Sequence, residues 1–388
     1  MKRLYSLLGA SMAAAILAAC GGTGTGTNPP TALSRVQNDQ QARTSTPFFA
    51  YVTDIGSNTI YAYEVDGTTG ALTPVQGSPF ATGKFPWGIA AADGKFVYAA
   101  NGVGTNQHDY SPSHVSGYTI DTTDGALTPL TKSPFKEPGH GAADMAVVSI
   151  AARKYAYVVN IYSDNLAAYQ INTATGALTP LAGTPFETGG EPESLTIDPK
   201  GKFVFVPNTL TDDVSAFKIS RDTGALVAVA GSPFSAGVTP AGAAVDSTGS
   251  FLYITNANSN NISAYVIHES TGVLTRVKGS PFKSDTPSRV AADPRAGFIY
   301  VSNNGSDTVS AYAIDPVTGA LTPVNGSPYA TGHGPSAVTV DPTGTFVYVG
   351  TTSGISAYKI ASSSGALTPV PGSPFAAGTS PAGIIVRR

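Results

Sequence analysis

Two charged side chains, Glu193 and Arg289, stand at positions of this 388-residue sequence where small residues otherwise recur. Glu193 directly follows Pro192, and Arg289 lies two residues after Pro287, each at the start of an apolar segment. An arginine binds a carboxylate through two parallel hydrogen bonds, and a glutamate can activate a water molecule as a base. The pair therefore predicts a site for a small carboxylated molecule, although an ion pair without chemistry or two solvated side chains would use the same residues.

Six further residues are candidates for ligand binding because they depart from the repeat in size or charge or lie in loops beside it. Two of the histidines each lie in a Gly-His-Gly turn, and the long loop NGVGTNQHDYSPSH, residues 101–114, contains two more candidates. This loop could act as a lid or a ligand loop, or it could be a tolerated surface insertion. The six candidates are Trp87, His108, Asp109, His140, Glu191 and His333.

A repeated phrase shows how the rest of the chain is organised. TGALTPVQGSPF, residues 69–80, returns six more times, and its first glycine recurs at 70, 125, 176, 224, 272, 319 and 365. The spacing shortens from 55 residues (70 to 125) to 46 residues (319 to 365), which suits a unit of four β-strands. Between phrases the fourth repeat reads PAGAAVD, FLYITN and NISAYVI, short runs rich in β-branched and aromatic residues. Each repeat therefore predicts one four-stranded sheet, in which the phrase supplies the outermost strand and the passage to the next sheet.

The ends of the chain predict how seven such sheets are arranged. The body begins with FFAYVT, residues 48–53, a second strand without its first, and ends with PAGIIVRR, residues 381–388, a first strand without its second. Small sheets must cover their faces with their neighbours, and the last segment supplies what the first repeat lacks. The sequence therefore predicts an all-β, seven-bladed β-propeller over residues 48–388, closed by the N- and C-terminal strands sharing one blade.

Alignment of the repeats on the residue after the loop proline, or its equivalent, separates the candidates from the scaffold. The aligned residues are Trp87, Met145, Glu193, Ala241, Ser288, Ser336 and Ala382. The residues that follow them are Gly88, Ala146, Ser194, Gly242, Arg289, Ala337 and Gly383. Only Trp87, Glu193 and Arg289 are large or charged, so we expect them at the end of the central channel where the loops converge.

The N-terminus predicts export and lipidation. A basic start, MKR, precedes an apolar run at residues 4–17, and the letters LAAC end at Cys20. This order resembles a bacterial lipoprotein signal, which implies cleavage before Cys20 and a lipid on it; an uncleaved signal anchor is the alternative. We expect a signal peptide at residues 1–19 and a flexible tether at residues 20–47. In a Gram-negative cell the predicted destination is the outer membrane or the periplasm.

Charge and composition exclude several classes of partner. The net charge is −3, and loss of residues 1–19 would leave 20 basic residues (22 less Lys2 and Arg3) against 25 acidic ones. No nucleic-acid partner is predicted, because such proteins carry basic surfaces. Cys20 is the only cysteine, so no internal disulfide can form. We predict a monomer without a cofactor. No metal site is predicted, because the asparagines that end five second strands repeat too regularly to form one unique ligand set.

The strands and turns resemble a known family. The YVTN-like strands at 51–54, 253–256 and 300–303, the Asp-Pro-x-Gly turns at 198–201 and 341–344, and the TGALTPV phrase are similar to those of lactonase-type seven-bladed propellers. That family includes bacterial 6-phosphogluconolactonase, the fungal carboxymuconate-cyclising enzyme and YVTN-repeat surface proteins. The resemblance implies the propeller fold and, for the enzymes, a site of histidine, arginine and acidic residues. Those enzymes commonly carry histidine after the loop proline, where this chain has Glu193 and Ser288.

The sequence leaves two functions open. In the first, the protein is a cell-envelope lipoprotein whose propeller binds a small-molecule or protein ligand at the channel face. In the second, it is a lactone hydrolase in which Glu193 is the base and Arg289 binds a carboxylate or an oxyanion. A phosphorylated sugar lactone fits the second function poorly, because such metabolites are cytosolic whereas the sequence predicts export.

Overall fold

The computed structural model describes residues 47–102, 113–295 and 297–387. Three residues singled out in the sequence, Cys20, His108 and Asp109, lie outside the described ranges. Within those ranges the secondary structure consists of strands, turns and bends, and no helix is long and apolar enough to cross a membrane.

The described strands form seven antiparallel sheets in chain order. The first three blades contain β1 (Phe48–Asp54), β2 (Thr59–Val65), β3 (Leu72–Pro74) and β4 (Phe80–Ala81); β5 (Pro86–Ala92), β6 (Phe96–Asn101), β7 (His114–Ile120), β8 (Leu127–Pro129) and β9 (Phe135–Lys136); and β10 (Ala142–Ile150), β11 (Arg153–Asn160), β12 (Asn165–Ile171), β13 (Leu178–Pro180) and β14 (Phe186–Glu187). The fourth and fifth blades contain β15 (Thr196–Ile197), β16 (Phe203–Asn208), β17 (Asp213–Ile219), β18 (Leu226–Ala228) and β19 (Phe234–Ser235); and β20 (Pro240–Val245), β21 (Phe251–Asn256), β22 (Asn261–Ile267), β23 (Leu274–Arg276) and β24 (Phe282–Lys283). The last two contain β25 (Pro287–Ala292), β26 (Phe298–Asn303), β27 (Thr308–Ile314), β28 (Leu321–Pro323) and β29 (Tyr329–Ala330); and β30 (Ala337–Val340), β31 (Phe346–Thr351), β32 (Gly354–Ile360) and β33 (Leu367–Pro369), after which β34 (Pro381–Arg387) ends the chain.

The ring closes as the ends of the sequence predict. β34 pairs with β1, from Phe49 opposite Arg387 to Asp54 opposite Pro381, so the C-terminal strand becomes the innermost strand of the first blade. Each blade has four main strands, and in six blades a two-residue strand also pairs with the third strand. This extra pairing comes from the Pro-Phe end of the repeated phrase, as where Phe80 pairs with Ile60. The fold is therefore the predicted seven-bladed β-propeller, with the blades slightly richer in strands than expected.

The repeated phrase holds neighbouring blades together. The hydroxyl of Tyr51, a fully buried second-strand residue, donates to the carbonyl oxygen of Gly125 in the next blade at 2.9 Å. Gly125 has a left-handed φ of 78°, and a Cβ there would overlap the ring of Phe49. The same contact recurs around the ring and closes it, since the hydroxyl of Tyr348 donates to Gly70 at 3.0 Å. The phrase thus supplies packing and register between blades rather than chemistry.

The innermost strands surround a central channel. In most blades the first strand begins opposite the end of the second, as where Pro86 pairs with Asn101 and Pro240 with Asn256. The loops that enter the first strands and the loops that follow the second strands therefore open on one face, which we call the mouth face. The opposite face carries the turns between first and second strands.

Candidate active site

Seven residues form a ring at the mouth end of the channel, one from the innermost segment of each blade. Each lies two residues after the loop proline or its structural equivalent, where the strand has just entered the blade. They are Gly88, Asp144, Ser194, Gly242, Arg289, Ala337 and Gly383. Small residues are required at several of these positions, because a Cβ on Gly242 would lie 2.6 Å from the carbonyl oxygen of Ser288 in the next blade.

The third blade corrects the sequence alignment by two residues. Asp144 pairs with Val159 as Gly242 pairs with Thr255 in the fifth blade, so Ala142 takes the place of the loop proline. The channel ring therefore contains Asp144 rather than Ala146. The alignment was wrong here because the third blade has no proline to anchor it.

Glu193 and Arg289 meet although their blades are separated by the fifth blade. Nη1 of Arg289 lies 3.5 Å from Oε2 of Glu193, and the same nitrogen donates to the carbonyl oxygen of Ala241 on the intervening first strand. The side chains are 19% and 26% exposed, so the ion pair is only partly screened by water. A guanidinium fixed in this way presents its remaining N–H groups to a ligand at the channel mouth.

Asp144 adds a second carboxylate on the same ring. Its Oδ1 accepts the backbone N–H of Met145 at 2.8 Å, and its Oδ2 accepts that of Leu195 at 3.3 Å. Burial raises the pKa of Asp144 to about 6, and the nearby Arg289 together with the two N–H groups limits the rise. Asp144 can therefore exchange a proton near neutral pH.

Two connected cavities give this cluster access to solvent. The mouth cavity, of about 350 Å³, is lined by Trp87, Glu193, Arg289 and His333 among others. A deeper channel cavity, of about 450 Å³, is lined by Trp87, Asp144 and Arg289 together with small and apolar residues of the first strands. Trp87 and Arg289 border both spaces, with Glu193 lining the mouth cavity and Asp144 the channel cavity on either side of Arg289.

Ser194 supplies an unpartnered hydroxyl beside the carboxylates. The residue is 3% exposed and lines the channel cavity, yet its Oγ has no hydrogen-bond partner among the described residues. Leaving a buried hydroxyl unpaired costs about 1–3 kcal/mol, so the position favours a polar ligand or a water molecule that can bond to it.

The remaining candidates divide between the mouth and the outer loops. His333 is 78% exposed and its Nδ1 lies 2.9 Å from Oδ2 of Asp307, which fixes one edge of the ring at the rim of the mouth cavity. Glu191 has a left-handed φ of 53° and uses its backbone to hold its loop, accepting the N–H of Thr209 at 3.0 Å. His140 is exposed, and neither His140 nor Glu191 lines either cavity in the described structure.

The asparagines that end the second strands serve their own loops. Nδ2 of Asn256 donates to Oδ1 of Asn261 at 2.7 Å and to Oγ of Ser263 at 3.0 Å. Asn208 and Asn303 make the corresponding bonds in their blades. Among the residues that the model describes, no group of three or more His, Cys, Asp and Glu side chains is placed to hold a metal ion.

Sequence reasoning also missed a buried carboxylate outside the channel. Glu137 is 4% exposed and accepts the hydroxyl of Tyr169 at 2.7 Å and Nδ2 of Asn160 at 3.1 Å. Burial raises its pKa to about 7 despite these bonds. The corresponding residues of the other blades are small, which is the sequence signal for this site: Thr82, Thr188, Ala236, Ser284, Thr331 and Ala377.

The fold is similar to several solved structures. The periplasmic gluconolactonase of Pseudomonas aeruginosa superposes with a TM-score of 0.72 at 18% identity, over 88% of this chain and 99% of that one. A candidate 6-phosphogluconolactonase from Bacteroides fragilis NCTC 9343 superposes with a TM-score of 0.75 at 21% identity, over 89% and 99% of the two chains. A second candidate 6-phosphogluconolactonase, from Bacteroides uniformis ATCC 8492, gives 0.74 at 19% identity, over 88% and 100%. At these identities the similarity shows the fold.

No curated protein sequence matches this chain. The family model of the lactonase seven-bladed β-propeller does match it, over residues 44–233 and 228–332, which is more than half of its length. The repeats, the ring closure and this match agree with one another. The chain therefore belongs to the lactonase seven-bladed β-propeller family.

Proposed function

We propose that the protein hydrolyses a lactone, a cyclic carboxylic ester, at the junction of the mouth and channel cavities. The observation that carries this proposal is the convergence of two carboxylates on Arg289: Asp144 lies on the same channel ring, whose other five members are uncharged, and Glu193, the residue before Ser194 of that ring, forms the ion pair. The named gluconolactonase among the similar structures gives the same reaction class independent support.

Each of the three residues has a role that follows from its surroundings. Arg289 binds the carbonyl oxygen of the lactone and stabilises the negative charge that develops on it. Glu193 accepts a proton from a water molecule whose oxygen attacks the carbonyl carbon. The bond from that carbon to the ring oxygen then breaks, and Asp144, with its raised pKa, supplies the proton that the leaving oxygen takes up. The product is a hydroxy acid, and the enzyme is restored when the proton on Glu193 passes to solvent and Asp144 takes up a proton from solvent.

The test is hydrolysis of a panel of γ- and δ-lactones by the full chain, monitored as acid release at constant pH. We expect Glu193→Gln to reduce kcat by about 100-fold or more, the usual contribution of a positioned general base. Glu187→Gln is the matched control, because Glu187 is an exposed carboxylate in β14, outside both cavities. A panel in which no lactone opens above the blank, or a Glu193→Gln variant as active as the control, would refute the proposal.

A second function, ligand binding at the cell envelope without turnover, is favoured by where the body of the chain begins. Phe48 is the first residue of β1 and Asp54 is the last. Asp54 pairs with Pro381 at the mouth face, so Phe48 lies at the other face. A seven-residue strand spans about 20 Å, so the chain enters the propeller on the face opposite the mouth. A mouth face away from this entry suits a lipoprotein that captures a small molecule or a protein from its surroundings.

The envelope proposal has its own tests. Incorporation of labelled palmitate into the full chain, and its loss in Cys20→Ala, would support the lipid anchor, whereas equal labelling of both would exclude it. For ligand binding, we expect the full chain to recover a partner that a variant lacking residues 102–113 fails to recover. A ligand bound without turnover and unaffected by Glu193→Gln would favour the binding function over the hydrolase.

A further inference from the structure

A third, smaller cavity lies on the face opposite the mouth, at the seam where the ring closes. Its volume is about 220 Å³ and it lies between the first and second blades. In the other six blades a covalent turn joins the first strand to the second at this place. In the first blade β34 and β1 come from opposite ends of the chain, so within the described residues no turn fills the space.

Arg387 stands at this seam in the register of an aspartate. In the fifth and seventh blades the corresponding residues are Asp246 and Asp341, each buried and each accepting backbone N–H groups of its own turn. Arg387 pairs with Phe49 in the same register, where Asp246 lies opposite Phe251. A cation therefore replaces the anion that the repeat places here.

Arg387 has no carboxylate partner among the described residues. Within the described residues, Nη1 of its guanidinium donates to the carbonyl oxygen of Val386 at 3.3 Å. Arg387 is exposed at the cavity, so its guanidinium is open to a ligand. An arginine without a carboxylate partner can bind an anion through two parallel hydrogen bonds.

The walls of the cavity define the rest of the ligand. The ring of Phe49, which is 4% exposed, forms the aromatic floor beside Ile120, whereas Tyr51 is fully buried at the edge of the cavity. Lys95 adds a second cation at the rim, whereas the one acidic lining residue, Asp93, is already paired with Lys154. The cavity thus combines an apolar surface with two basic groups.

We propose that this seam cavity is a binding site for a small anion with a flat apolar body, of the aromatic carboxylate class. The carboxylate would bind to Arg387 with assistance from Lys95, and the ring would lie against Phe49 and Ile120. The site lies on the face opposite the mouth and requires no part of the proposed hydrolysis, and Arg387 lines the channel cavity as well as this one.

The experiment is an NMR titration of the full chain with benzoate and, separately, with acetate. We expect benzoate to bind at least about ten-fold more tightly than acetate, because only benzoate buries a ring on the aromatic floor. Arg387→Gln should weaken benzoate binding by about ten-fold or more, while Arg221→Gln, a charge-matched change at an exposed turn, should leave it unchanged.

Lys95→Gln keeps the test decisive if Arg387→Gln fails to fold, because Lys95 is exposed and outside the strand pairing. That variant should weaken benzoate binding by about three-fold relative to Lys359→Gln, an exposed lysine on the third strand of the seventh blade. Equal affinities for acetate and benzoate, or benzoate binding unaffected by both Arg387→Gln and Lys95→Gln, would overturn the proposal. Benzoate that bound only at the channel mouth would be unaffected by both substitutions.

Discussion

Replacement of Glu137 by glutamine should remove a pH dependence of stability that the buried carboxyl imposes. Burial raises the pKa of Glu137 from 4.5 to about 7 in the folded protein. A carboxyl with a raised folded pKa favours folding when it is protonated, so this stability is present below pH 4.5 and is lost as the pH rises through 7. A shift of about 2.5 units corresponds to about 3 kcal/mol at pH 8.

The glutamine should also satisfy a neighbouring atom. Nδ2 of the buried Asn160 now donates to Oε1 of Glu137, so the new side-chain NH2 is accommodated only if the amide of Asn160 turns and presents Oδ1, which has no hydrogen-bond partner among the described residues. The hydroxyl of Tyr169 can still donate to the amide oxygen, as it now donates to Oε2 of Glu137 at 2.7 Å. We therefore expect the variant to be more stable than the parent above pH 7 and close to it below pH 5.

The assay is urea-induced unfolding of the full chain at pH 5, 6, 7 and 8, with Glu187→Gln as the control for loss of an exposed carboxylate. The difference in unfolding free energy between Glu137→Gln and the parent should grow with pH toward about 3 kcal/mol. A difference that stays constant across this range, or that shrinks as the pH rises, would refute the assignment of a raised pKa to Glu137.

Three other changes test the site and the scaffold. Asp144→Asn should remove the transition near pH 6 from the pH dependence of kcat/KM, which reports ionisations of the free protein, measured on the most reactive lactone of the panel; a retained transition would contradict its proposed role. Trp87→Ala should raise KM more than it lowers kcat, because Trp87 borders both cavities without a group that transfers protons; an unchanged KM would exclude substrate contact. Gly125→Ala should lower the unfolding free energy by about 2 kcal/mol or more, because the residue has a left-handed φ of 78° and faces the ring of Phe49. Thermal unfolding measures this cost, and a clearly smaller value would contradict a tight contact between Gly125 and Phe49.

The propeller could be predicted from sequence because its information is repeated. Seven copies of one phrase fix the number of blades, and complementary half-blades at residues 48–53 and 381–388 fix the closure. Glu193 and Arg289 could be found in the same way, as departures from a repeated pattern. Their contact could not be predicted, because it depends on a side chain crossing the first strand of an intervening blade.

The residues that were missed lie where the repeat itself changes. Asp144 was displaced in the alignment because Ala142 replaces the loop proline, whereas counting back from the second strand would have placed it correctly. Glu137 falls just after a well-matched phrase, at a position that comparison of the blades would have marked as unusual. Arg387 becomes visible only when the closing strand is paired with β1, since its significance is the aspartate register that it occupies.

The most direct test of the central claim is acid release from the lactone panel by the parent chain and by Glu193→Gln, measured side by side at pH 7. The proposed hydrolase predicts at least one lactone whose opening by the parent exceeds the blank and falls by about 100-fold in the variant. Absence of opening across the panel, or equal rates for parent and variant, would contradict the assignment of hydrolysis to this ring of residues.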